Sequence, residues 1–267
     1  MVFSYTQLSH YLRCPRSYRH RYLDGWQERE NRAGLVFGRC FEQALQAFFC
    51  HEDPQAKLFE EWAAHRESAF DYKSQDSWDR LLHQGVHLLQ KFAQDNRICI
   101  PQPNKNLQVK ILRPLPNGHQ FVAYLDAIGV LDGNRSILDW KTTTSRYPEG
   151  PEGLLSLDPQ LISYSWVSGI SDVAIVAFVR KKFPEIQYLK ASISEEQRQE
   201  FGQLVESTVA QIAAGQFPSH TGIRFPQNGC VSCPHLGLCL HDQQLIDTHL
   251  IHKPGAADLD WLDELMD

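Results

Sequence analysis

Residues 125–143 read LDAIGVLDGNRSILDWKTT, two mostly apolar runs on either side of an Asp-Gly pair. Asp-Gly between such runs is a strong signal for a two-residue hairpin turn. With Asp132 and Gly133 as the turn, Leu131 faces Asn134 and Asp126 lies directly opposite Asp139. The period of two then gathers Tyr124, Asp126, Asp139 and Lys141 on one face of the ribbon and turns Trp140 to the other. Directly opposed residues have Cβ atoms roughly 4.5–5.5 Å apart, where like charges are destabilising. A carboxylate pair held this way needs a cation. A three-residue loop would slip the register by one and set the acids diagonally. For the hairpin taken alone, an Asp126–Lys141 ion pair with Asp139 as a strand-end residue is the plainer alternative.

Around the hairpin the pattern is α/β. An amphipathic helix starts at Ser4 and runs to about Leu12, and Pro15 opens a second short helix after the Cys14-Pro15 break. Further helices are predicted over 34–50, 56–70 and 76–97. Strands over 107–113, 120–131 and 134–143 form a meander, followed by a helix within 157–169 and a fully buried strand within 171–182. A shorter strand over 185–191 and a long helix over 194–215 complete the core. The expected organisation is one domain over 1–240, with a mostly helical part over 1–100, an α/β core over 105–215 and a closing segment over 224–240. An acidic, flexible tail is expected over 241–267.

The chain has 267 residues and a 42% hydrophobic content, enough for a real core in one large domain or two small ones. Its net charge of −6 is the wrong sign for a nucleic-acid partner. The distribution matters more than the sum: from residue 241 onward seven acids stand against one lysine, which accounts for the whole excess. The first 36 residues carry six arginines (Arg13, Arg16, Arg19, Arg21, Arg29, Arg32) against three acids, with Tyr5, Tyr11, Tyr18 and Tyr22 interleaved. That stretch reads as a phosphate-facing surface or, more plainly, as a solvated helix face. The start lacks a basic stretch leading into an apolar run, and no apolar run approaches the ~18 residues of a membrane span, so a cytoplasmic protein is expected.

Seven cysteines, an odd number, argue for metal ligation plus free thiols rather than a disulfide framework. Cys230, Cys233 and Cys239 follow a C-x2-C-x5-C spacing within NGCVSCPHLGLC. Zinc is the default reading of a close C-x2-C, but only His235 and His241 lie nearby as further donors. Cys14, in RCPRSY, is a candidate fourth ligand from a distance, since a Cys-Pro step is a common setting in cluster-ligating segments. Cys40, Cys50 and Cys99 lack ligand spacing and are expected to be small core residues.

In order, the chain presents Cys14 in C-P-x-x-Y-x-x-x-Y, Gly38 and Glu42 in G-x-x-x-E, and the hairpin Asp126. There follow Asp139 and Lys141 in D-x-K, Gln160 and Tyr164 in Q-x-x-x-Y, and the closing C-x2-C-x5-C. This series resembles the RecB-like branch of the PD-(D/E)XK nucleases, and within it the iron–sulfur nucleases of the Cas4 and AddB nuclease-domain type. The resemblance runs from residue 4 to 240. It implies a restriction-endonuclease-like α/β core, a central mixed sheet flanked by helices, with an N-terminal helical region and a C-terminal iron–sulfur segment. Cys14, Cys230, Cys233 and Cys239 would bind a [4Fe–4S] cluster that staples the first helix to the C-terminal segment; zinc, or simple burial, is the alternative.

The resemblance also implies a nuclease site. Glu42, where Cas4-type proteins carry His, would join Asp126 and Asp139 as ligands of Mg²⁺ or Mn²⁺, with the Trp140 backbone carbonyl completing the shell. Lys141 would orient or deprotonate the attacking water. Gln160 and Tyr164, four apart on one helix face, would position the substrate backbone or the lysine, and Thr142, Thr143 and Thr144 would contact phosphate. The implied activity is a metal-dependent DNA nuclease, an exonuclease on DNA ends or single strands, serving CRISPR adaptation, recombination and repair, or phage defence. Two rivals are a DNA-end-binding iron–sulfur subunit with little activity of its own and a zinc-stabilised, non-catalytic scaffold. The tail, DLDWLDELMD over 258–267, would dock on a protein partner, mimic phosphates in the chain's own DNA channel, or be a solvated end.

Overall fold

In the computed structural model, residues 1–29, 31–72, 76–219, 227 and 229–253 are described. Strand β1 (Val2–Ser4) runs straight into helix α1 (Tyr5–Arg13). A capping box fixes that start: Ser4 Oγ accepts from the Gln7 N–H, and Gln7 Oε1 from the Ser4 N–H. Cys14 is extended, and Pro15 at the first helical position opens α2 (Pro15–Tyr22). Two short strands, β2 (Trp26–Glu28) and β3 (Asn31–Arg32), lead to α3 (Ala33–Phe49) and α4 (Pro54–Ala63), the latter capped by Asp53. Strand β4 (Phe70–Asp71), α5 (Trp78–Ala93), β5 (Ile98–Cys99) and α6 (Pro103–Asn106) follow. The strand-rich part holds β6 (Leu107–Pro114), β7 (Gln120–Leu131), β8 (Asn134–Thr143), α7 (Pro159–Ser168), β9 (Asp172–Val179) and β10 (Glu185–Ser192). The chain closes with α8 (Glu195–Ala213), α9 (Leu236–Leu240), α10 (Gln243–His249) and β11 (Leu250–His252).

The chain divides into two compact units. The first takes in Met1–Glu30, Arg113–Val122 and Gln203–Asp267, and the second Asn31–Leu112 and Ala123–Gly202.

The second unit is built on a mixed sheet. β7 and β8 pair antiparallel with Leu131 opposite Asn134 and Ala127 opposite Leu138, the register expected from the turn. Asp132 and Gly133 both have positive φ, 50° and 88°, as a primed hairpin turn requires. β8 pairs parallel with β9, with α7 in the crossover, and β9 pairs antiparallel with β10. β9 is buried at every position after Asp172, which is why it reads as a continuous apolar run. Phe37, Phe41 and Leu45 of α3, Leu58 and Trp62 of α4, and Leu81, Leu88 and Phe92 of α5 form one core with Trp140 and Phe178. Burying each such side chain contributes roughly 1.5–3 kcal/mol. Trp62 and Trp78 stack, each indole donating to the other's backbone carbonyl at 3.0 and 3.1 Å.

The first unit packs α1 and α2 around Tyr11, Tyr18 and Tyr22, all buried. Tyr11 donates to the Gln216 carbonyl at 2.6 Å, and Tyr18 stacks on Phe217. Arg13, Arg16 and Arg19 point outward. The interleaved tyrosines are therefore core, and only the arginines form a surface. β2 pairs antiparallel with β11. This corrects the tail expected from residue 241: over 243–252 the chain is a helix, capped by Asp242, and a strand that satisfies its backbone on β2. Residues 254–267, and with them the acidic DLDWLDELMD segment, lie outside the described residues. Cys40 is buried, but Cys50 and Cys99 are exposed, against expectation. Cys50 caps the end of α3, and Cys99 lies in the two-residue strand β5, so neither is enclosed. No helix among the described residues is long and apolar enough to cross a membrane.

Candidate active site

The carboxylates gather in the second unit. Gly38 lets α3 approach β8 closely, since a Cβ there would stand 3.3 Å from Thr142 Oγ1. Glu42, one turn on, then comes close enough to the hairpin acids for its charge to raise the Asp126 carboxyl. The paired ladder ends at Ala127 and Leu138. Past it, Asp126 Oδ2 accepts from the Trp140 backbone N–H at 2.7 Å, while the Trp140 ring turns to the other face and packs on Phe49, Phe92 and Phe178.

Asp139 is 1% exposed, so its charge needs a partner. Lys141 Nζ lies 2.9 Å from both of its carboxylate oxygens but donates only to Oδ1. Oδ2, buried, finds no hydrogen-bond partner. Burial pushes the Glu42, Asp126 and Asp139 carboxyls above the usual carboxylate range. Glu42 and Asp139 add to the rise at Asp126, and Lys141 opposes it at Asp139. At Lys141 burial works against the charge, yet Asp139 and Asp126 outweigh it and hold the ammonium above the ordinary lysine range.

Gln160 and Tyr164 stand together on α7, whose start is capped by Asp158. Gln160 Nε2 donates to Tyr164 Oη at 2.7 Å. Tyr164 is buried, and burial, with Asp139 and Asp126, holds its hydroxyl protonated. Thr142 lies against Gly38, Thr144 is exposed, and the Thr143 hydroxyl is engaged with the backbone of Ser145. Gln108 of β6, missed in the sequence, donates its side-chain amide to Glu42 Oε1. No spacing marks it, because it reaches the site through the pairing of β6 with β7.

Cys14, Cys230, Cys233 and Cys239 lie in the first unit. Cys14 sits at the joint of α1 and α2, and Cys233 N–H donates to the Cys230 carbonyl at 3.2 Å in a tight turn before α9. Burial raises the Cys239 thiol, Arg16 lowers it, and Cys233, Cys14 and Cys230 are near enough to raise it further. A buried chain that the sequence did not announce lies beside them. Ser17 Oγ bonds His10 Nε2 at 2.8 Å and His235 Nδ1 at 2.9 Å, and Cys233 Sγ lies 3.8 Å from the same oxygen. Burial holds the His10 and His235 imidazoles neutral, pushed down to about 3 and about 4. Among the described residues no three His, Cys, Asp or Glu side chains are closed to metal-coordinating geometry. At the carboxylates, Gln108 stands on Glu42 and Lys141 on Asp139.

Comparison with known proteins places this arrangement. No curated protein matches the chain. Among solved structures, a candidate exonuclease from Eubacterium rectale aligns with a TM-score of 0.55 at 15% identity, covering 88% of this chain and 87% of that one. That likeness shows a shared fold. SSO0001 aligns at 0.40 and 16% identity, covering 90% of this chain and 86% of that one. LHK-Exo in complex with dAMP aligns at 0.33 and 12% identity, covering 67% and 92%. The family model of the PD-(D/E)XK nuclease superfamily matches residues 2–240, and the chain belongs to that superfamily.

Proposed function

We propose that this chain is a metal-dependent deoxyribonuclease of the RecB-like, iron–sulfur (Cas4 or AddB) type, an exonuclease acting on DNA ends or single strands. One observation carries the reading: three buried acids, Glu42, Asp126 and Asp139, stand close enough for Glu42 and Asp139 both to raise the Asp126 carboxyl, with Lys141 ion-paired to Asp139 beside them. A cluster of buried carboxylate oxygens is the donor set that a hard cation takes. Glu42, Asp126 and Asp139, with the Trp140 carbonyl, would hold Mg²⁺ or Mn²⁺. Bound there, the cation would supply an activated water near neutral pH and neutralise charge at phosphorus.

The chain's own groups do the rest. Lys141, kept charged by Asp139 and Asp126, donates to the water or to the phosphoryl oxygens as negative charge develops on them. Gln160, through Tyr164, holds the α7 face that positions the substrate backbone. The outward Arg13, Arg16 and Arg19 offer phosphate contacts in the first unit. Cys14, Cys230, Cys233 and Cys239 would hold a [4Fe–4S] cluster, and their mutual proximity in one unit supports this donor set. CRISPR adaptation, recombination and repair, or phage defence are the settings this activity fits, with a protein partner engaging the acidic C-terminal segment.

The test is an anaerobic purification followed by digestion of end-labelled linear and closed circular DNA with and without Mn²⁺. Exonuclease action predicts Mn²⁺-dependent loss of linear DNA alone, and a brown protein absorbing broadly at ~400 nm. Colourless protein containing zinc, or no cleavage of either DNA, would overturn it.

A further inference from the structure

The residue that stands on Glu42 is itself out of place. Among the described residues, the non-glycine positions with positive φ are His51, Gln102, Gln108, Asn117, Asp132 and His241. Five of these lie at turns or helix ends. Gln108, at φ 49°, lies inside a strand. A left-handed residue within a strand breaks the alternation of side chains and re-aims its own, a distortion that concentrates at functional sites. Here it delivers a primary amide to Glu42 Oε1.

An amide has two chemically opposite ends. Toward a carboxylate it must present its NH₂ donors, as Gln108 does. Toward a cation those donors are repelled, and the terminal torsion, broad and roughly two-fold, lets the carbonyl oxygen turn in instead. We propose that Gln108 is a swinging ligand of the catalytic metal site: its NH₂ donates to Glu42, and its Oε1 would turn in to join the coordination shell when a cation binds. This rests on the metal-site reading given above. A neutral oxygen suits Mg²⁺ or Mn²⁺. It also completes a shell beside Glu42, Asp126 and Asp139 without a fourth negative charge, in a place where burial already makes three costly to ionise.

The experiment is Mn²⁺ titration by calorimetry, with thermal unfolding of the metal-free protein, on wild type, Gln108→Leu, Gln108→Glu and Asp139→Asn. Loss of outer-shell partners alone costs 10–100-fold in metal affinity, so Gln108→Leu should weaken Mn²⁺ binding by at least about 10-fold. Gln108→Glu, which keeps an oxygen at that reach, should bind within about 3-fold of wild type or more tightly. Gln108→Leu loses the donor on Glu42 and should melt below wild type when treated with chelator. Gln108→Leu binding Mn²⁺ as well as wild type, while Asp139→Asn does not, would overturn the swinging ligand and leave the metal site standing. Should Gln108→Leu fail to fold, Gln108→Glu decides, and a loss of Mn²⁺ affinity in it refutes the proposal. Wild type that binds no Mn²⁺ would remove both readings together.

Discussion

Asp126 Oδ2 accepts the Trp140 backbone N–H at 2.7 Å, so one carboxylate both closes the end of a β-ladder and faces two other acids. Its two duties are separable. Asp126→Asn keeps an acceptor and removes a charge that Glu42 and Asp139 make costly, so metal-free protein should melt at or above wild type. Asp126→Ala leaves the Trp140 N–H without its acceptor, a cost of about 1–3 kcal/mol, and should melt below Asp126→Asn. Both should lose Mn²⁺ binding. Equal melting of the two variants in differential scanning calorimetry would show that the hydrogen bond contributes nothing.

Lys141→Ala should lower cleavage by ~10²-fold or more, the usual cost of removing one preorganised donor to developing charge. Labelled-DNA anisotropy should change far less than the rate. Cleavage within a few-fold of wild type would remove the lysine from the chemistry.

The raised carboxyls set a pH dependence. Glu42, Asp126 and Asp139 bind protons more tightly folded than unfolded, so the stability they contribute is present below the ordinary carboxyl range, about pH 4, and is lost as pH rises. Mn²⁺ must displace those protons. The gap in Tm between Mn²⁺-loaded and chelator-treated protein should widen from pH 5 to pH 8, and a constant gap would mean the site ionises like exposed carboxylates.

Gly85 of α5 is a packing contact: a Cβ there would stand 2.7 Å from Leu58 Cδ2 and 2.8 Å from Phe37 Cζ, both fully buried. Gly85→Ala gains about 1 kcal/mol of helix propensity but overpacks the core by about 1–3 kcal/mol. The clash should win, and urea unfolding should show a net loss of stability.

Cys14→Ser should strip iron from anaerobically purified protein, whereas Cys99→Ser, on an exposed edge strand, should keep it. Unchanged iron in the Cys14 variant would sink the proposed cluster.

The hairpin register was legible because Asp-Gly fixes it locally, and the D-x-K face followed from the period of two. The Tyr18 and Tyr22 spacing, four residues within α2, was equally legible as one buried helix face; the neighbouring arginines drew it toward a surface reading. Cys50 and Cys99 could not be placed, because their exposure depends on where α3 stops and on how short β5 is. Gln108 and the His10–Ser17–His235 chain depend on pairings between distant segments, and a backbone torsion such as that of Gln108 leaves no trace in composition.

The pairing of β2 with β11 also sets an order of assembly. Arg29 donates to the Leu250 carbonyl across 221 residues, a closure whose chain entropy is on the order of 5 kcal/mol. A ribosome releases Cys14 and the strand at Trp26–Glu28 long before their partners exist, whereas everything from Asn31 to Gly202 that builds the carboxylate site is already available. The carboxylate site can therefore form before β11 exists, and β2 finds its partner only afterwards.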